Sequence, residues 1–195
     1  MHVIDYDMPY EQFLAAFEGI HAEWVDGVVY QLPRQSQLHQ TTQNTLCQII
    51  TRYLDQNPIG QCITAPTLLR VNDRSPARCP DLQVILNNNT CLKHQRAISG
   101  SADIVIEILS EFNHTWERGD KFVEYEQGGV GEYWIIDPIR QDCLFYTFED
   151  HYFRRQDTDS NDVYCSKRLQ NFKLPIPLLW SSPSMDTIQN LMKAM

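Results

Sequence analysis

Glu107 stands inside Ile104-Val105-Ile106-Glu107-Ile108-Leu109, a run whose two alternating faces are both apolar. A strand of that kind is covered on both sides, as in sheets with helices front and back. An ionised carboxylate inside such a strand is costly unless something offsets its charge, whether a cation, a metal ion or a proton. A salt bridge at the strand end is the plainer account, and a functional site is the sharper one. Either way the chain must build a sheet layered between helices.

A second acid fits the same frame. Pro80-Asp81 leads into Leu82-Gln83-Val84-Ile85-Leu86, another apolar strand. Taken alone, Pro-Asp is a turn into a strand. On neighbouring strands, Asp81 and Glu107 would bring two carboxylates to one end of a sheet, a donor set that suits a hard divalent cation such as Mg²⁺, or Mn²⁺. With an ammonium nearby, such a set can polarise a phosphodiester and stabilise developing charge. Lys121 is the candidate amine: Glu117, Lys121 and Tyr125 share one helical face at four-residue spacing. A surface Glu-Lys pair beside a packed tyrosine is the competing account. Glu23, before Trp24-Val25, is a further carboxylate, and His39 opens a long helix.

The remaining periodicity gives the layers. A helix is expected over Pro9 to Phe17 with Asp7 as N-cap, then two strands turning at Asp26-Gly27. Leu46, Ile49, Ile50, Tyr53 and Leu54 trace the apolar stripe of a helix from Ser36 to Asn57, ended by Pro58 and Gly60. Strands are expected at 61–71, 81–86, 103–109, 132–137, 143–148 and 151–155. A helix over 114–127 is closed by Gly128-Gly129, and a last one starts near Ser184. The order predicts a single α/β (α+β) domain over 1–195, a central mixed sheet flanked by helices.

Net charge of -9 argues against a surface that coats polyanions indiscriminately, but leaves room for a local basic groove. Arg70, Arg74 and Arg78 cluster in sequence, and a solvated face is the ordinary expectation for them. No apolar run approaches the roughly 18 to 20 residues that span a bilayer, so no membrane is expected. The Met1 to Asp7 opening is acidic, without the pattern of a secretory leader. Six scattered cysteines without a C-x-x-C pair fit free thiols in a reducing cytoplasm.

Several segments together resemble one family. They are Glu23-Trp24-Val25-Asp26-Gly27, His39 at a helix start, Pro80-Asp81-Leu82, the strand Ser101 to Ser110, Lys121-Phe122-Val123-Glu124-Tyr125, and Gly129 to Pro138. From about residue 10 to 180 the chain resembles the Uma family of restriction endonucleases, a branch of the PD-(D/E)XK nuclease superfamily. The resemblance implies a restriction-endonuclease-like core and Mg²⁺-dependent hydrolysis of DNA, with Asp81 and Glu107 as metal ligands. It implies Glu23 as their support, Lys121 facing the scissile phosphate or the attacking water, and His39 and Tyr125 as substrate contacts. A homodimer is a family-level expectation. Two features depart from the pattern. Leu109 stands where most of the superfamily carries its lysine, making Lys121 the substitute, and Glu111-Phe112-Asn113-His114 replaces a typical Pro-Ser-Thr. A catalytically silent nuclease-fold protein that binds DNA or a protein partner is the alternative. A glycosidase-like acid/base pair would need an exposed aromatic cleft and would have no use for Lys121. No sequence-reading module such as a helix-turn-helix is visible.

Overall fold

Leu46, Ile49, Ile50, Tyr53 and Leu54 are all buried, so the stripe read from the sequence is the face that a 20-residue helix lays on a sheet. Each aliphatic side chain among them contributes about 1.5–3 kcal/mol on burial. Ser36 caps the helix, its Oγ accepting from the His39 amide at 3.2 Å. The computed structural model describes residues 2–94, 96–110 and 116–193. In chain order the elements are β1 (His2–Asp5), α1 (Tyr10–Ala16), β2 (Ala22–Val25), β3 (Val28–Gln31), α2 (Gln37–Gln56), β4 (Gly60–Thr64), β5 (Leu68–Arg70), β6 (Leu82–Leu86), β7 (Leu92–Lys93), β8 (Ala97–Ser99) and β9 (Ile104–Ile108). Then come α3 (Trp116–Gln127), β10 (Glu132–Asp137), β11 (Asp142–Glu149), β12 (Tyr152–Gln156), β13 (Val163–Cys165), β14 (Lys173–Pro175), a 3-10 turn (Ile176–Trp180) and α4 (Met185–Lys193).

The central sheet runs β12-β11-β10-β9-β6-β4. Within it only β9 and β10 are parallel; every other neighbouring pair is antiparallel. The sheet is therefore mixed, with helices against it, as the element order predicts. Strand β9 is covered on both faces. Ile104, Ile106 and Ile108 share a core with α2 and with Ile188 and Met192 of α4. Val105 and Leu109 belong to a second core with Tyr125 of α3 and with Tyr133 and Ile135 of β10. Alternation puts Glu107 on this second side.

A third core, including Phe13, Ala22, Val29, Leu68, Ala77 and Cys79, lies under two small sheets, β1-β3-β2 and β5-β8-β7. The hairpin turns where expected: Asp26 and Gly27 both have positive φ, 49° and 88°, which a two-residue turn of the favoured hand requires. Two bridges position the segment leading to Asp81. Trp24 exchanges backbone bonds with Ala77 at 3.0 and 2.8 Å, and Leu69 exchanges them with Arg78 at 2.8 and 2.9 Å. The first of these pairings holds that segment against β2.

Two sequence expectations need correction. Asp7 does not cap α1; Pro9 occupies that position without a side-chain bond, and Asp7 takes φ of 53° in a loop held by Met8 N to Gly27 O at 2.8 Å. The single strand expected over 61–71 is interrupted by Ala65-Pro66, and its halves join different sheets, β4 in the central one and β5 beside β8. The short strands β1, β7, β8, β13 and β14 had no alternating pattern long enough to announce them. The start of the helix expected from His114, and the Glu111-Phe112-Asn113-His114 segment, lie outside the described residues. Among the described residues no helix is long and apolar enough to cross a membrane.

Candidate active site

The register of β6 on β9 brings the two acids together. Leu82 pairs with Ile106 in an antiparallel ladder, so one step further along Asp81 stands opposite Glu107. Asp81 turns its carboxylate onto the end of β9: Oδ2 accepts from the Ile108 amide at 2.7 Å. Oδ1 accepts from Gln35 Nε2 at 2.9 Å and lies 3.3 Å from His39 Nε2. Gln43 of α2 donates to the Asp81 carbonyl at 2.9 Å, gripping the same residue by its backbone.

Glu107 meets α3. Lys121 Nζ lies 3.1 Å from each of its carboxylate oxygens, and Tyr125, one turn on, donates its hydroxyl to Oε1 at 2.9 Å. The same ammonium lies 2.9 Å from Glu23 Oε1. Glu23 is wholly buried and also accepts from Arg78 NH1 at 2.9 Å and from the Cys79 amide at 3.2 Å. Arg78 in turn grips Glu124 with two prongs, Nε at 2.7 Å and NH2 at 2.6 Å. Helix α3 is thus attached through Lys121, Glu124 and Tyr125 at once.

The charges are unequal. Among the described residues, the carboxylates of Glu23, Glu107 and Glu124 share two paired cations, Lys121 and Arg78, while Asp81 has only His39 beside it and Arg34 lines the same cleft. Burial alone would raise Glu23, but Lys121 and Arg78 more than offset it and hold the carboxyl at about 2. Glu107 goes the other way. Burial pushes it above the ordinary carboxylate range; Lys121 pulls it down, while the charges of Asp81 and Glu23 add to the rise. Glu107 thus sits, raised chiefly by burial, on the wall of a solvent-facing cleft.

That cleft has a volume of about 60 Å³ and is lined by Asp81, Glu107 and Lys121 with His39, Ser110 and Cys79 among its other walls. It has room for an ion with a water or two rather than for a bulky ligand. Nδ1 of His39 and Oγ of Ser110 are buried without a hydrogen-bond partner among the described residues, although both residues help to line the cleft. The donor set fits a Mg²⁺-like ion in chemistry, being oxygen-based and electron-rich. Among the described residues, however, no three His, Cys, Asp or Glu side chains form a group able to hold a metal ion. Protein ligation would come from Asp81 and Glu107, and the remaining positions would fall to water and substrate oxygens, as is usual for Mg²⁺.

The residues singled out in the sequence are thus gathered in one place, though not all face the same space. Asp81, Glu107, Lys121 and His39 line the cleft. Glu23 lies behind Lys121 and touches the cleft only through it. Tyr125 is 1 % exposed with its hydroxyl tied to Glu107, so the substrate contact expected of it is not available; it braces Glu107 from behind. Arg78 also departs from expectation. It is 7 % exposed and doubly ion-paired, not part of a solvated basic face, whereas its sequence neighbour Arg70 lies over the Tyr10 ring at 4.1 Å from the centroid. Gln35 carried no sequence signal, and Glu124 and Ser110, though inside segments that carry the family resemblance, were not singled out, because their roles depend on contacts between distant segments.

Two buried acids lie elsewhere among the described residues, Asp137, which is bound by Arg140 and the Ile139 amide, and Glu132. Glu132, at the start of β10 and wholly buried on the opposite sheet face, accepts from Trp134 Nε1 at 2.8 Å, Tyr164 OH at 3.0 Å, Ser166 Oγ at 3.0 Å and the amides of Lys167 at 2.5 Å and Arg168 at 2.7 Å. It ties the 164–169 segment to the central sheet and does not line the cleft.

Against known proteins, residues 9–177 match the model of the Uma2 family, described as "Putative restriction endonuclease". Among solved structures, the chain is similar to a nuclease of Anabaena variabilis described as "a putative nuclease belonging to DUF820", with a TM-score of 0.67 and 19 % identity over 83 % of this chain and 90 % of that one. At that identity the likeness is one of fold. No curated protein matches the chain significantly.

Proposed function

Since the chain belongs to the Uma2 family of restriction-endonuclease-like proteins, we propose that it is a metal-dependent endonuclease hydrolysing DNA phosphodiester bonds at the cleft between β6, β9 and α3. The observation that carries this reading is the Lys121 ammonium held between Glu107 at 3.1 Å and Glu23 at 2.9 Å, beside an Asp81 fixed on the end of β9. A Mg²⁺ ion on Asp81 and Glu107 would lower the pKa of a bound water and neutralise charge on the phosphate.

The chain's own residues do the rest. Lys121 presents its ammonium to the anionic oxygens on which charge builds in the transition state, in a site already oriented and so needing little rearrangement. Glu23 and Arg78 hold that lysine from behind, and Tyr125 fixes the Glu107 rotamer. Gln35, Gln43 and the Ile108 amide fix Asp81. His39 and Ser110 complete the wall of the cleft beside Asp81.

The test is cleavage of supercoiled plasmid and of single-stranded circular DNA with Mg²⁺, Mn²⁺ or chelator, with Asp81→Asn in parallel. Metal-dependent cutting that Asp81→Asn abolishes supports the reading. Metal-independent cutting, or cutting that survives the substitution, overturns it. Metal-independent DNA binding without any cutting would make the protein a silent member of the fold, which the small number of metal-ligating side chains among the described residues favours as the second reading.

A further inference from the structure

A groove of about 600 Å³ runs beside the cleft and shares with it the wall formed by His21, Leu32, Pro33, Arg34 and Gln35. Its lining is unusual for a chain of net charge -9, because among the described residues it contains no carboxylate. It contains five amide side chains: Gln31, Gln35, Gln40, Gln43 and Asn44. Gln40, Gln43 and Asn44 come from one face of α2, at spacings of three and four residues. Gln35 and Gln43 are already committed to Asp81. Gln40 is exposed, and Asn44 and, at the junction with the cleft, Arg34 line the groove beside it.

We infer that this groove receives an unpaired DNA strand leading to the scissile phosphate, with Gln40 and Asn44 reading base edges and Arg34 contacting a phosphate. The inference rests on the nuclease reading of the adjoining cleft. An amide offers a donor and an acceptor side by side, the pattern that complements a base edge. The base edges of a duplex are reached by elements that protrude into its grooves. Here the amides line a recess, and bases must enter it to be read, which requires that they be unpaired. The described groove lining holds no Phe, Tyr or Trp, so base-tolerant stacking is not its means of holding a strand. Hydrogen bonding to edges, unlike stacking, distinguishes one base from another.

The experiment is fluorescence anisotropy in Ca²⁺, with labelled single-stranded homopolymers of deoxyadenosine, deoxycytidine and thymidine, a mixed-sequence duplex and a single-stranded RNA. Single-stranded DNA is expected to bind most tightly, with a spread of at least about fivefold among homopolymers. Gln40→Ala combined with Asn44→Ala, both helix positions where alanine is well tolerated, should weaken binding by about tenfold and reduce that spread to under about twofold. Arg34→Ala should weaken all three homopolymers alike and lower the salt dependence by about one phosphate contact. Tighter binding of duplex or RNA, or equal binding of all homopolymers by the unaltered protein, overturns the assignment. If metal-dependent cutting occurs but is indifferent to the double substitution, the groove assignment fails and the nuclease reading stands. If no nucleic acid is bound or cut in any form, both fail.

Discussion

Arg78 and Glu124 form a two-pronged ion pair, Nε to Oε2 at 2.7 Å and NH2 to Oε1 at 2.6 Å, while the remaining prong of the same guanidinium holds the wholly buried Glu23 at 2.9 Å. One side chain therefore fixes both α3 and the acid behind the site lysine. A planar fork with donors on two edges can do this, and a point-like ammonium cannot.

Removing that fork leaves a buried carboxylate with half its compensation. Arg78→Met should destabilise the protein by about 3–5 kcal/mol, and Arg78→Lys should recover only part of the loss. Combining Arg78→Met with Glu23→Gln should recover more than Arg78→Lys does. Urea unfolding of the four proteins checks this; equal stability of Arg78→Met and the unaltered protein would show the pair to be idle.

Glu23 contributes to the acidic limb of the stability curve. Its carboxyl is held at about 2 in the fold against an ordinary 4.5, so its contribution is fully present above pH 4.5 and is lost as pH falls towards 2. The difference amounts to about 3 kcal/mol at neutrality. Glu107 has the opposite sign: raised in the fold, it contributes stability below 4.5 that fades as pH climbs through its folded value. Without metal, Glu23→Gln should flatten the acidic fall and Glu107→Gln the decline at higher pH, both measurable by denaturant titration across pH.

Asp81 accepts hydrogen bonds from neutral donors and lies near His39, with no Lys or Arg paired to it among the described residues. Neutralising it as Asp81→Asn turns an amide NH2 towards one of those donors and should cost about 1–3 kcal/mol, while lowering cleavage per folded molecule by at least about a thousandfold. Calorimetric titration should lose the Mg²⁺ signal in the same variant. Retained metal binding with lost activity would assign Asp81 to some other step.

Lys121→Met should reduce kcat by roughly 100- to 1,000-fold while changing DNA affinity less, since its proposed role is to stabilise the additional charge that builds on the phosphate in the transition state. Parallel loss of kcat and affinity would make it an ordinary phosphate contact.

Glu132→Gln should cost about 2–4 kcal/mol, because an amide turned towards several donors leaves at least one unsatisfied. Cleavage per folded molecule should be unchanged, since the residue faces away from the cleft. Thermal melting and the plasmid assay separate the two effects.

Glu132 also marks where sequence reading stops. Glu107 stands out as a carboxylate in an apolar strand, and Glu132 in Glu132-Tyr133-Trp134-Ile135-Ile136 meets the same description. The first is answered by Lys121 at the edge of a cleft, the second by hydroxyls, an indole and backbone amides in the interior. Charge compensation was required in both cases, and its chemical identity depended on segments roughly 14 to 36 residues away. The α2 stripe, the Asp26-Gly27 turn and the strands of the central sheet were legible because each is a local periodicity or turn rule. Arg78 was not, because its burial depends on the Trp24–Ala77 and Leu69–Arg78 bridges between distant strands. Tyr125 shares the helix face of Lys121, as its spacing indicates, but that it is buried with its hydroxyl on Glu107 is not something spacing alone reveals.

The cluster is assembled from β2, the turn before β6, the end of β9 and the middle of α3, and no contiguous stretch owns more than a share of it. Proteolytic pieces of the chain would therefore inherit no weakened version of its chemistry. Loss of function on gradual denaturation should coincide with collapse of the whole architecture, making the cleft a built-in reporter of intactness.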